Sequence, residues 1–322
     1  MGDTNQQSRY PLDQDGGIDL KELFLVLWAG KWLIGGISAL AAAVSVIVAL
    51  MLPNIYTSSA LLAPAEQSGG GLSARLMQEY GGLASLAGVP LPGGGEGGRA
   101  QLGMELMKSR AFLGEFVERR KLLPELMAVE YWDMATGDLV YDPEIYNYDS
   151  GKWVRDIGPP FQPKPSLLEA HEEFMLILRV SQDRQTGYVS VSIDHESPII
   201  AARWVNWMVE DINAAVRSQD VEEANRSISY LQNQIANTSL AELQTVFFEL
   251  IESQTETAML AEVRPEYVFK TIDPAVVAEE RSRPNRALIC ALGTLLGGIL
   301  SLMIVLIRNY ASSNPDVGKI TA

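Results

Sequence analysis

Two stretches of this chain contain no charged residue: Leu33–Leu52, 20 residues long, and Ala287–Ile307, 21 residues long. A helix rises about 1.5 Å per residue, so about 20 apolar residues cross the ~30 Å hydrocarbon core of a bilayer. Helices buried in a water-soluble core seldom run so far without one strongly polar side chain. The chain is therefore expected to be a membrane protein with two transmembrane helices, one toward each end, and most of its residues between them.

The first stretch does not read as a cleavable leader. The 32 residues before it include several acids, and its exit, Met51-Leu52-Pro53-Asn54, lacks a small-x-small cleavage pattern. Trp28 and Trp32 flank Lys31 just before it, a usual interfacial anchor. Ile18, Leu23, Phe24, Leu27 and Trp28 form either the apolar face of a short helix lying on the membrane or the first turns of the span itself. Basic residues near the spans tie: Lys21, Lys31, Arg308 and Lys319 on the terminal side, Lys270, Arg281, Arg283 and Arg286 on the other. The first span breaks the tie, because bases precede it and none follows until Arg75. Both termini are expected in the cytoplasm and residues 53–286 outside it. In a bacterium with two membranes that places a multi-pass chain in the inner membrane with its main domain in the periplasm.

Net charge is −15, and an acidic surface repels a polyanion, so no nucleic-acid partner is expected. The single cysteine, Cys290, falls within the second uncharged stretch, which excludes a disulfide framework and a Cys-rich metal site. With two histidines, a His-based triad or metal centre has little to draw on. His171-Glu172-Glu173 lacks the second histidine of a metalloprotease helix, and His195, just before a helix start, reads as structural. The pairs Glu222-Glu223 and Glu279-Glu280 are adjacent, so their side chains diverge into solvent rather than form an acid/base dyad. No Gly-Lys-Ser/Thr follows the glycine runs, so they do not read as a phosphate cradle. No catalytic, cofactor-binding or metal residue is assigned, no cofactor is expected, and the chain does not read as an enzyme.

Between the spans, Ile55–Ala63 reads as a strand ending at Pro64. Glu66–Gly103 is a glycine-rich loop, with a short helix at Ser73–Tyr80, and Met104–Leu123 reads as a helix. Val140–Pro165, rich in Tyr, Asp, Pro and Gly, reads as an ordered loop of a kind that binds sugars or, more commonly, packs on the surface. Phe174–Val180 and Gly187–Asp194 read as strands, the second alternating Val189, Val191 and Ile193 with polar residues. Ser197-Pro198 then opens a helical stretch with no further proline until Pro265. Within it Val221, Ala224, Ile228, Leu231 and Ile235 step by 3, 4, 3 and 4, a coiled-coil seam. Asn237-Thr238-Ser239 interrupts it, Ser239-Leu240-Ala241-Glu242 reads as a capping box, and Leu243, Val246, Phe247, Leu250 and Ile251 begin a second helix running to about Val263. Glu266–Asp273 returns to a strand pattern. One unbroken helix would separate the flanking strands by roughly 100 Å, so the chain is expected to reverse near Asn237 and form a hairpin.

Several segments resemble the Wzz-type polysaccharide co-polymerases, the O-antigen chain length determinants. They are Ile18-Asp19-Leu20-Lys21-Glu22-Leu23 with Trp28-Ala29-Gly30-Lys31-Trp32, and Gly82-Leu83-Ala84-Ser85-Leu86-Ala87-Gly88. The most specific is Tyr267-Val268-Phe269-Lys270-Thr271-Ile272-Asp273-Pro274-Ala275-Val276-Val277, followed by Arg283-Pro284-Asn285-Arg286 at the second span. Family members often have another proline after that segment, where Ala278 and Glu279 stand here. The resemblance implies an α+β membrane protein: two transmembrane helices flanking a periplasmic α/β base domain with a long protruding helical hairpin. It implies control of how many repeat units a Wzy-type polymerase adds to lipid-linked O antigen, within a ring-like homo-oligomer, and no catalytic residue. A capsule or exopolysaccharide co-polymerase is the alternative. A tethered sugar hydrolase would need convergent acidic or His residues that the sequence does not show. A fused tyrosine kinase is not expected, since Arg308–Ala322 alone follows the second span.

The expected organisation is residues 1–32 as an N-terminal segment with an interfacial helix, 33–52 as the first span and 53–196 as the first part of the base domain. Residues 197–264 form the hairpin, 265–286 the return strand and connection, 287–307 the second span and 308–322 the tail. Val221, Ile228, Leu231 and Ile235 are candidate assembly residues, together with Gly293 and Gly297, a small-residue pair that lets helices approach closely but also arises by chance in membrane spans. Asp273, Pro274 and Pro284 mark the connection into the second span.

Overall fold

The computed structural model describes residues 27–65, 96–237 and 240–313. Most of the proposed interfacial helix, the short helix at Ser73–Tyr80 and Thr238-Ser239 lie outside them. In chain order the elements are α1 (Lys31–Met51), β1 (Tyr56–Pro64), α2 (Glu96–Met107), α3 (Arg110–Arg120), α4 (Leu123–Met127), β2 (Val129–Trp132), β3 (Leu139–Tyr141), β4 (Tyr146–Asn147) and β5 (Lys152–Trp153). They continue with α5 (Leu167–Ile177), β6 (Leu178–Gln182), β7 (Val189–His195), α6 (Pro198–Asn237), α7 (Ala241–Val263), β8 (Phe269–Asp273) and α8 (Arg286–Ser313).

The chain divides into two units, one holding residues through Leu52 and from Asn285 onward, the other Pro53–Pro284. In the first, α1 and α8 are both long and apolar enough to cross a membrane. They pack on each other through small residues. A Cβ at Gly293 would collide with the Ser45 side chain, and one at Gly297 with Ala41.

The second unit is an α/β domain. Its antiparallel sheet has the order β6-β7-β1-β8. Tyr56, Ser58, Ala60 and Leu62 of β1 and Val189, Val191, Ile193 and His195 of β7 turn to one buried face. That is the period-2 pattern of a sheet covered on one side. Helices cover that face: Phe112, Leu113 and Phe116 from α3, Phe174 from α5, and Ile200, Trp204, Val205, Met208 and Ile212 from the first half of α6 form one core with the strands. Trp204 is fully buried, stacked on Phe174, and its indole N–H donates to Glu125.

Beyond this core α6 keeps going. At 40 residues it is about 60 Å long. Its second half and α7 form a hairpin with a separate small core of Leu231, Phe247 and Leu250, flanked by Ile235, Leu243, Val246 and Ile251. The strands on either side of the hairpin, β7 and β8, share the sheet as neighbours of β1.

Several local expectations are corrected. The helix expected at Met104–Leu123 is two helices, because the Ser109 side chain accepts from the Phe112 N–H and starts a new one. The first begins at Glu96, inside the expected glycine-rich loop. Gly103 lets it pass the sheet, since a Cβ there would sit 2.8 Å from the Phe269 ring. Phe174–Ile177, expected as strand, is the end of α5, fixed as helix by the Ser166–Glu169 capping box. The Val140–Pro165 loop contains the β4–β5 hairpin and follows the β2–β3 hairpin. The helix α7 starts at Ala241 with Leu240 as N-cap and no side-chain cap bond from it, while Ser239 of the expected box lies outside the described residues.

Candidate functional site

Where β1 begins, the segment before α8 returns to meet it. The Ile55 N–H donates to the Arg283 carbonyl at 3.0 Å, and the Ile55 carbonyl accepts from the N–H groups of Ser282 and Arg283. The Thr57 N–H donates to the Ser282 hydroxyl, and the Ser58 hydroxyl donates to the Val276 carbonyl at 2.6 Å. Residues 55–58 and 276–283 thus form a stem that closes the α/β unit.

A buried charge cluster sits on this stem. Asp194 of β7 is 4% exposed, on the sheet face opposite the core. Its carboxylate accepts from the Thr57 hydroxyl at 2.6 Å and from the guanidinium groups of Arg179 on β6 and Arg283 on the stem. A buried carboxylate needs such partners, because unpaired burial costs several kcal/mol in effective desolvation, on the order of what removing one partner of a buried pair exposes. One side chain therefore ties β6, β7, β1 and the segment entering α8.

Two asparagines of α6, two turns apart, hold the return strand. Asn213 donates from Nδ2 to the Phe269 carbonyl and accepts at Oδ1 from the Val268 and Phe269 N–H groups. Asn206 does the same for both backbone groups of Ala275. Each side-chain amide pairs with backbone groups as a neighbouring strand would, one at the start of β8 and one just past its end.

The connection residues fall on this stem. Asp273 ends β8 opposite Leu61, Pro274 lines a 390 Å³ cavity with Asn206 and Asn213, and Pro284 follows Arg283 through a cis peptide. The hairpin residues divide. Leu231 is fully buried between the arms with Ile235 packed beside it, Ile228 is half-buried, and Val221 packs on the main core. Gly293 and Gly297 face α1 of the same chain. In the sequence Asp194 reads only as a polar position alternating with the apolar residues of β7, and Arg179, Asn206 and Asn213 carry no assigned role. The one signal for the asparagines is their seven-residue spacing on the apolar face of a helix.

Two further residues are held in uncharged or shifted states. His195 is buried against Trp204, accepts from the Ser197 N–H at Nδ1 and meets the Glu125 carbonyl at Nε2. Burial, with the nearby Arg203 charge, pushes it down to about 4, so it is neutral at physiological pH. Burial first, then the bond to Asp220, raises the Tyr267 phenol, which therefore stays protonated as a donor. Among the described residues no group of three or more His, Cys, Asp or Glu is placed to hold a metal ion. The arrangement clamps backbone segments together.

Two family models match. Wzz, the chain length determinant protein, matches residues 16–119, spanning α1, β1, α2 and most of α3. GNVR, a tyrosine-kinase-associated G-rich domain, matches residues 241–310, spanning α7, β8, the stem and most of α8. The curated proteins give no match. Two solved structures are similar at low identity. One is a full-length bacterial polysaccharide co-polymerase, 13% identical, covering 92% of this chain and 99% of that one at a TM-score of 0.42. The other is a fragment of WzzB, a polysaccharide co-polymerase from Salmonella Typhimurium, 13% identical, covering 71% of this chain and 100% of that one at 0.27. Neither score establishes a shared fold.

Proposed function

We propose that this chain is a Wzz-type polysaccharide co-polymerase, a chain length determinant, and that it sets the modal length of lipopolysaccharide O antigen. The observation that supports this most is the Wzz match over the first candidate span and the strand that follows it, joined to an α/β unit with a long helical hairpin. In this reading the chain is a non-catalytic regulator in the bacterial inner membrane, both termini cytoplasmic and the α/β unit periplasmic. It acts as a closed homo-oligomer alongside a Wzy-type polymerase and its lipid-linked polysaccharide. The charge step across the first span supports the orientation: Lys21 and Lys31 precede it and no base follows before Arg75.

The GNVR match supports a second reading, a co-polymerase for capsule or exopolysaccharide. Deletion followed by gel separation of lipopolysaccharide tests the first. Loss of the modal length with polymer still made is the expected result. An unchanged ladder with altered capsule transfers the role to the second reading, and loss of all polymer rejects length control.

A further inference from the structure

Away from the stem, a cleft of about 830 Å³ opens between the C-terminal end of α3, the β4–β5 hairpin and the loop leading into α5. That volume is within the range of about 300–1,000 Å³ typical of small-ligand sites. Three aromatic side chains line it: Tyr146 and Trp153, paired across the hairpin with ring centroids 4.9 Å apart, and Phe161, which is 51% exposed. An exposed phenyl ring on a loop forfeits burial, so it needs either a partner or a tolerance for water.

The loop carrying Phe161 is fixed in place. Arg155 donates to the Pro163 carbonyl, the Gln162 carbonyl and the Glu169 carboxylate, each at 2.9 Å. Glu169 also accepts from the Ser166 N–H in the capping box, and these bonds, the backbone one first, hold it below the usual carboxylate range. The aromatic walls are therefore positioned before anything binds, which lowers the cost of binding.

At the mouth stands Lys121, the only non-glycine residue with positive φ among the described residues, at 59°. It ends α3 in the left-handed conformation that glycine adopts most easily. A glycine there would relax the backbone, so a lysine at the rim of this cleft is costly to folding and supplies a cation. Lys164 adds a second cation and Glu118 an acceptor, while Glu169 is neutralised by Arg155. The rim is thus net positive within a segment, 53–286, that holds 20 basic and 34 acidic residues. Flat apolar rings inside and mixed donors and acceptors around the edge match a pyranose, which has a C–H face and a hydroxyl-bearing perimeter.

We infer that this cleft binds a short stretch of polysaccharide, neutral or weakly acidic, with a sugar face against Trp153 and Phe161 and its perimeter, or a carboxylate, toward Lys121. The inference rests on the reading above only for the source of the sugar. It gives this chain a direct grip on polymer at a site on the α/β unit, separate from both the stem and the hairpin.

The test uses full-length protein in detergent and saturation-transfer NMR. One arm titrates repeat-unit oligosaccharides released by mild acid from the lipopolysaccharide of the cell that makes this chain, and a second arm uses those from its capsule. Transfer to ring C–H protons is expected in at least one arm. Phe161→Ala and Lys121→Gly should each weaken binding ~tenfold. Lys121→Gly should leave thermal stability unchanged or raised, a result that a merely structural lysine would also give but without the loss of binding. No transfer in either arm, or equal affinity in both variants, overturns the proposal. Absence of binding in a protein whose deletion still abolishes modal length removes the cleft and leaves length control standing. Binding in a protein whose deletion leaves the ladder unchanged does the reverse.

Discussion

Asp194 shows what a single buried charge can organise. It faces two guanidinium groups that are themselves 48% and 55% exposed, so either one alone satisfies much of what the carboxylate lost on leaving water. Arg179→Met and Arg283→Met are each expected to cost ~1 kcal/mol, while the double variant, which strands the carboxylate, should cost ~3–5 kcal/mol, more than the sum. Denaturant midpoints of the four proteins in a double-mutant cycle measure this. His195 gives a pH effect. Its folded value of about 4 lies below the ordinary 6.5, so the unfolded chain takes up a proton first as pH falls. Its contribution is complete above pH 6.5 and is lost as pH drops toward 4, amounting to on the order of 2 kcal/mol at pH 5. His195→Gln should flatten the fall in unfolding midpoint between pH 7 and pH 5 relative to the parent chain. Neither residue was legible beforehand in its partners. Asp194 alternates with the buried positions of β7 and so reads as solvent-facing, and the arginine that covers it comes 89 residues later.

At the scale of elements, periodicity served well where one face dominates and failed where a cap decides. The heptad seam located the hairpin, because Leu231 and Phe247 have only each other's helices to bury against. Phe174–Ile177 misled, since β-prone residues there are overruled by the capping box one turn into α5 and by the seat Phe174 takes between Phe116 and Trp204. The β4–β5 hairpin was hidden because two-residue strands have no period to read. Leu231 and Ile228 now separate in their expected effects. Leu231→Asp puts a charge inside the arm contact and should shorten or fray the hairpin, costing ~2–5 kcal/mol, a loss of helical signal visible by circular dichroism. Ile228→Asp, at a half-buried site, should leave the hairpin folded. If the outer seam contributes to assembly, Ile228→Asp shifts the modal polymer length with the polymer still made, and an unchanged ladder excludes that seam.

For the whole molecule, the uncharged stretches located both long apolar helices, and α1 and α8 differ from them mainly in extent, α8 running on to Ser313. The proposed orientation and assembly rest on charge and symmetry arguments and are open to direct test. A cysteine introduced as Ser150→Cys, in a Cys290→Ala background, should react with an impermeant maleimide on intact cells whose outer membrane has been opened. Labelling only after lysis reverses the topology. Assembly into a closed ring should appear as one discrete oligomer by native mass spectrometry in mild detergent, since identical head-to-tail contacts close when the rotation permits. Gly297→Leu reads out a different contact, because Gly297 lies against Ala41 of the same chain. It should perturb the α1–α8 pair first and the oligomer less.

The stem has a consequence in time. β1 is among the first parts of the α/β unit to be synthesised, yet its two neighbours in the sheet, β7 and β8, end at residues 195 and 273. At about 5–20 residues per second, the ribosome needs roughly 10–40 s to pass from the end of β1 to the end of β8. Until residue 195 both edges of β1 lack their partners, the β8 edge stays open until residue 273, and pairing of such long sequence separation is slow even once the chain is complete. The nascent chain is therefore most vulnerable to proteases and to misjoining with its neighbours early, and the last residues before α8 are the ones that end the exposure.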